Sequence, residues 1–389
     1  MKTRSPWALA LAMSLGAMAG IGLARFAYAL LLPAMRADLG WTYSQAGALG
    51  AANAFGYLAG AVLTLRLVHA WGNRRIFVIG LVLTTLALLA AGSTRDHTMQ
   101  SIWRALAGLG AAGTFICGGV LAGTLSLTMR GEARPGLGVT VFFAGGGLGI
   151  LVSGVALPLW LAAAGDSAWP GLWTAMGVLA LVATLLGFDA IRFIDEPGRG
   201  GQSADWPWRN YVVILLAYLL FGLGYIAYMT FIVAWMRQHG AAPTEVATVW
   251  ALLGSATIAG PAVWGRRFRR SRGGRSMAEA LTAFGIGALL PLLSTHVAAL
   301  LASAVLVGGS VFMIPSSVTL LIRHELPQAA WGRALSVLTI LFALGQVVGP
   351  LLTGWLADFT GSLFAGLIAS AALLFAGAVA AWTQFPRTA

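Results

Sequence analysis

The chain has 389 residues, of which 59% are apolar and 9% charged. A soluble domain carries about 25% charged residues, so there is too little polar side chain here to cover a water-facing surface. The net charge of +12 would point to nucleic acid in a soluble protein, but these charges sit between long apolar runs, which excludes that reading.

Twelve apolar runs are predicted to cross a membrane as helices, at roughly 7–32, 44–68, 76–93, 100–129, 137–163, 170–190, 210–234, 244–264, 277–294, 298–322, 333–355 and 363–383. At about 20 residues each they take roughly 240 residues and leave the rest for loops and tails. The first run follows Lys2 and Arg4, as a signal peptide would. It is too long for an h-region and contains Arg25, so it is read as a span. Between the sixth and seventh runs lies a polar stretch, RFIDEPGRGGQSADWPWR, read as a linker. The predicted organisation is therefore 1–191, a six-helix bundle; 192–209, a cytoplasmic linker; and 210–389, a second six-helix bundle.

The basic residues set the orientation. With the N-terminus inside, cytoplasmic segments hold Lys2, Arg4, Arg66, Arg74, Arg75, Arg130, Arg134, Arg192, Arg199, Arg209, the arginines of Arg266–Arg275, Arg323, Arg333 and Arg387. Outer loops hold only Arg36, Arg95 and Arg237. This bias predicts both termini in the cytoplasm and an even number of spans. The stretch Arg266–Arg275 then reads as a topology anchor against anionic membrane lipid and not as a nucleic-acid site.

The halves repeat. Gly145, Gly149 and Gly154 recur at the same spacing as Gly345, Gly349 and Gly354, Ala59-Gly60 as Ala259-Gly260, and Gly108 as Gly308. Six spans per half leave both halves in one orientation, a parallel repeat about an axis along the membrane normal. Transporters of one large class are built this way, with the substrate site near mid-membrane.

Several motifs carry a resemblance. Arg104-Ala-Leu-Ala-Gly108-Leu-Gly110 resembles the fourth-helix motif of the major facilitator superfamily. Gly72-Asn-Arg74-Arg75 is similar to the end of its 2–3 loop signature, and Gly345-Gln-Val-Val-Gly349-Pro350 resembles its eleventh helix. His69 stands where that loop signature has an aspartate, so the loop's charge-relay latch is not carried over. The first run, Gly20 through Met35, more narrowly resembles the YbfB-like bacterial branch. The resemblance implies an all-α integral membrane fold with 12 transmembrane helices in two parallel six-helix pseudo-repeats. It also implies a multi-pass monomer in the bacterial inner membrane, moving a small solute by alternating access. By the same resemblance Arg104, Gly72, Arg74, Arg75, Gly149, Gly349 and Pro350 have gating or structural roles.

Arg25 is the most informative side chain. An arginine at depth in a span costs about 2.5–3.5 kcal/mol on insertion scales, so it should face a cavity or a partner. No Asp or Glu falls near the middle of any run. An uncompensated buried charge is expensive. A bound anion would supply the missing charge, and a small organic anion or acidic compound is the expected cargo. A purely structural role for Arg25 stays open. Tyr28 lies one turn beyond it. Asn53 and Tyr57 are i, i+4 on the second run, and Tyr225 and Tyr228 belong to an aromatic stripe with Tyr218 and Phe221 on the seventh. Gln346 is the polar residue of the eleventh. These are the candidate substrate contacts; for each, helix packing or an interhelical hydrogen bond is the alternative.

No histidine or carboxylate sits mid-span as a proton site. An anion leaving a cell that is negative inside gains about 2.3 kcal/mol per charge per 100 mV, so efflux or exchange is favoured over uptake. The readings set against a carrier are a membrane-embedded enzyme and a non-transporting sensor. Lys2 is the only lysine and Cys117 the only cysteine, which excludes a P-loop motor, an intrachain disulfide and a cysteine-based metal site. Neither G-x-S-x-G nor H-E-x-x-H occurs. Gly145–Gly149 lies inside a span with no strand before it, so it is not a dinucleotide loop. No catalytic residue, metal ligand set or cofactor is expected.

Overall fold

The computed structural model describes residues 5–128, 137–196 and 205–386. Lys2, Arg4, Arg130, Arg134, Arg199, Arg387 and the centre of the 192–209 linker lie outside the described residues. Among the described residues there is no strand, and eleven helices are long and apolar enough to cross a membrane. They are α1 (Pro6–Leu39) and α2 (Tyr43–Ala91), α3 (His97–Thr128), α4 (Leu137–Ala164), α5 (Trp169–Ile191), α6 (Val212–Gln238), α7 (Pro243–Arg270) and α8 (Arg275–Leu293), α9 (Val297–Glu325), and α10 (Gln328–Thr360) and α11 (Leu363–Trp382). Residues 1–41 with 48–199 form one compact unit, and 42–47 with 200–389 form another.

The stretch α2 has 49 residues, which unbroken would run about 74 Å at 1.5 Å per residue, more than twice the hydrocarbon thickness. It is broken at Gly72, whose φ of 76° and ψ of 162° lie outside the helical region and suit only glycine. The segments on either side run in opposite directions along α3. Before the break, Gly56 packs on Ala105 and Gly60 on Leu109. After it, Phe77 meets Thr114 and Thr84 meets Ala107.

Helix α1 is buried on every side over its middle. Its winding changes there: Met18–Phe26 is a π-helix between the α-helical Pro6–Ala17 and Tyr28–Leu39, and Ala27 N–H donates to the Gly22 carbonyl five residues back at 3.0 Å. Glycines explain how closely it packs. A Cβ placed on Gly149 of α4 would lie 2.7 Å from both Gly22 Cα and the Met18 carbonyl oxygen. Small residues at such a crossing let backbones touch, which is how helices associate in lipid.

In the second unit α6 packs against α10 and α11. Residues 224–236 of α6 are buried without interruption. A Cβ on Gly345 would lie 2.7 Å from Leu223 N, and Ser370 Oγ donates to the Gly224 carbonyl at 2.5 Å. Large apolar side chains such as Leu185, Val263, Leu293 and Phe359 remain exposed on the outer helix faces. A surface of this kind is suited to hydrocarbon and not to water.

Candidate functional site

Arg25 lies at the end of the π stretch and is 8% exposed. Its Nε and Nη2 have no hydrogen-bond partner. Among the described residues no carboxylate pairs with it. Its guanidinium carbon is 5.2 Å from the centre of the Tyr57 ring, a cation–π contact. The residue that approaches Arg25 is thus an aromatic face on α2.

Arg104 on α3 is equally deep but is held. Its guanidinium lies 4.6 Å from the Tyr28 ring centre and 5.5 Å from that of Trp173. It donates through Nη1 to the Ala24 carbonyl on α1. The Arg104 carbonyl accepts from Asn53 Nδ2 at 3.0 Å. Of the first unit's candidates, the structure brings Arg25 together with Tyr57, and Arg104 together with Tyr28 and Asn53. Tyr28 stacks on Arg104 and Trp173, with ring centres 6.5 Å apart in the latter pair.

In the second unit, Tyr228 is fixed through its hydroxyl, 2.6 Å from Ser303 Oγ, and Ser303 donates onward to the Gly287 carbonyl at 2.6 Å. That chain ties α6 to α9 and α8. Tyr225 stacks on Phe221 and Phe342, with ring centres 4.7 and 5.5 Å away. Gln346 is 1% exposed, and neither its amide nitrogen nor its oxygen has a partner. Gly349 abuts the Leu223 carbonyl, and the Pro350 carbonyl abuts Gly47, where no side chain stands in the way.

At the Gly72 turn, Glu196 from beyond α5 accepts from two successive backbone amides, Asn73 N at 3.2 Å and Arg74 N at 2.7 Å. A carboxylate there satisfies amides left open at a helix start. Arg74 donates through Nη2 to the Ile194 carbonyl, and Arg75 is exposed. Glu196 and Trp173 are the contributors that sequence reasoning missed. Glu196 sits within the stretch read as a linker, and Trp173 is one of 15 tryptophans with no spacing signal to single it out.

A helical bundle with an apolar exterior, glycine-tight crossings and buried polar side chains left unsatisfied is the build of a polytopic membrane carrier. A family model described as "Uncharacterised MFS-type transporter YbfB" matches residues 17–381, and the chain belongs to that family of major facilitator superfamily transporters. It is similar to a chloramphenicol resistance protein of Streptomyces lividans, 27% identical over 92% of this chain and 93% of that one. It is also similar to the multidrug resistance protein MdtG of Yersinia enterocolitica serotype O:8 / biotype 1B, 30% identical over 46% of this chain and 44% of that one. Among solved structures, a single-residue variant of the nucleoside transporter NupG matches with a TM-score of 0.76 at 11% identity, over 96% of this chain and 99% of that one.

Proposed function

We propose that the protein is a secondary transporter of the bacterial inner membrane that exports or exchanges a small organic anion or acidic compound by alternating access. The reading is of a monomer with twelve crossings in two parallel six-helix repeats and both termini in the cytoplasm. The oppositely directed segments of α2 support the count, and the asymmetry of arginine between loops supports the orientation. The resistance proteins among the relatives favour export.

One observation carries the cargo's sign. Arg25 is buried, unpaired by any described acid, and meets the Tyr57 ring. A bound carboxylate would satisfy the open Nε and Nη2 donors together, in the two-pronged geometry a guanidinium favours. Gln346, with both amide atoms open, is proposed as a contact for a neutral part of the cargo that both donates and accepts. Tyr57, Asn53, Tyr28, Tyr225 and Tyr228 are the further cargo contacts of this reading.

The test is substrate flux in proteoliposomes, using a panel of acidic compounds alongside uncharged chloramphenicol. Acidic compounds should be moved, and Arg25→Ala should lower their apparent affinity by about 10- to 100-fold, the worth of a charge-assisted hydrogen bond. Arg25→Lys should restore part of it. Undiminished acid transport by Arg25→Ala sinks the anion reading, and so does transport confined to neutral compounds.

A further inference from the structure

Residues 42–47 belong to the second unit, whereas the chain on both sides, up to Trp41 and from Ala48, belongs to the first. Trp41 meets the His97 ring edge-on at 5.1 Å, inside the first unit. Two residues later Tyr43 is 6% exposed and meets Phe231 of α6 edge-on at 6.1 Å. Its hydroxyl accepts from Gln238 Nε2 at the end of the same helix. The start of α2 is thus docked on α6 and α10, and the rest of α2 is not part of that unit.

The first turn of α2 shows what holds it there. A helix start leaves its first amides without a carbonyl partner inside the helix. Thr42 N donates to Gln45 Oε1 at 2.9 Å and Gln45 N to Thr42 Oγ1 at 3.2 Å, a reciprocal capping box. The two amides between them, Tyr43 N and Ser44 N, donate to Asp358 Oδ1 and Oδ2 at 2.8 and 2.7 Å. Asp358 stands in the last turn of α10, where the negative end of its own helix disfavours a carboxylate, while the start of α2 presents the positive end of another. No arginine pairs with it among the described residues. The side chain is exposed, so parting the carboxylate from the amides exchanges each bond for one to water and strands no buried charge.

We propose that Asp358 is a releasable latch: its carboxylate holds residues 42–47 docked on α6 and α10, and the chain has a second arrangement in which this segment is undocked and both the amides and the carboxylate are hydrated. For its purpose the latch rests on the alternating-access reading, in which it sets the balance between access states. Undocking itself is read without any transport.

Cys117 is the only cysteine and is 0% exposed, so a Cys117→Ala background accepts a single reporter. Ala46→Cys places one in the docked segment, at a position 0% exposed, and Ala304→Cys places a reference on α9, also 0% exposed. The full chain in detergent is treated with a water-soluble maleimide. Asp358→Ala should raise the labelling rate of Ala46→Cys by about tenfold, the worth of a charged hydrogen bond. Asp358→Asn keeps the shape without the charge and should raise it less. The Ala304→Cys rate should stay the same in both, which separates undocking from unfolding. In the chain with no cysteine change, Asp358→Ala should also speed hydrogen exchange at the Tyr43 and Ser44 amides. An unchanged Ala46→Cys rate in Asp358→Ala, or an equal rise at Ala304→Cys, overturns the latch. A chain that shows these rates yet moves no compound in proteoliposomes supports the latch and overturns the carrier reading alone.

Discussion

Arg104 and Arg25 lie in the same unit at similar burial, yet they are treated in opposite ways. Arg104 has two ring faces, a carbonyl acceptor on α1 and a neighbouring asparagine on its own carbonyl, and it leaves one donor, Nε, open. Arg25 has one ring and two donors left open. The second unit repeats the contrast without charge. Tyr228 is locked into a hydroxyl chain that ends on a backbone carbonyl, while Gln346 keeps both ends of its amide open. In each of these two pairs one buried polar group is tied into the fold and the other is left more open. Burial alone does not distinguish them; the count of satisfied donors and acceptors does.

The largest way to break this comparison is at the arginines. Arg104→Leu should cost about 3 kcal/mol of stability, from the lost cation–π contacts and the charged hydrogen bond, read as a lower thermal midpoint in detergent. Arg25→Leu should not lower that midpoint, because it removes an unsatisfied charge. Equal losses in the two variants would erase the distinction. A smaller effect is expected at Gln346→Leu, which should raise stability by about 1–2 kcal/mol by removing an unpaired buried amide, while impairing flux. A fall in stability there would mean that the amide serves the fold after all. The smallest effect belongs to Glu196→Gln at the Gly72 turn. It should cost about 0.5 kcal/mol, seen as faster hydrogen exchange at the Asn73 and Arg74 amides.

The helical membrane character was legible from the apolar runs, because hydrocarbon leaves a spanning helix little choice of side chain. Where the runs and the helices part company, the cause is local. The runs at 44–68 and 76–93 are the two segments of α2, and the glycine that turns the chain, Gly72, lies in the gap between them. The first run was placed at 7–32, yet α1 continues to Leu39, carrying Pro33 within the helix and ending in polar residues. Arg25 stood out in the sequence because a charge inside a span is costly. Tyr57, the ring that Arg25 meets, stands out separately, by its i, i+4 spacing from Asn53. What no residue pattern announced was the π winding, which is a matter of backbone hydrogen-bond register and of how closely Gly22 and Gly149 approach.

That winding has a consequence for the geometry of α1. Each residue of an α-helix advances the side-chain direction by about 100°, and a π stretch accommodates surplus residues without breaking the column. Excising one of them, Ala19 for instance, with the winding otherwise kept would turn Tyr28–Leu39 by about one residue's step relative to Pro6–Ala17. The stretch that would swivel carries Arg25 itself, near its C-terminal end.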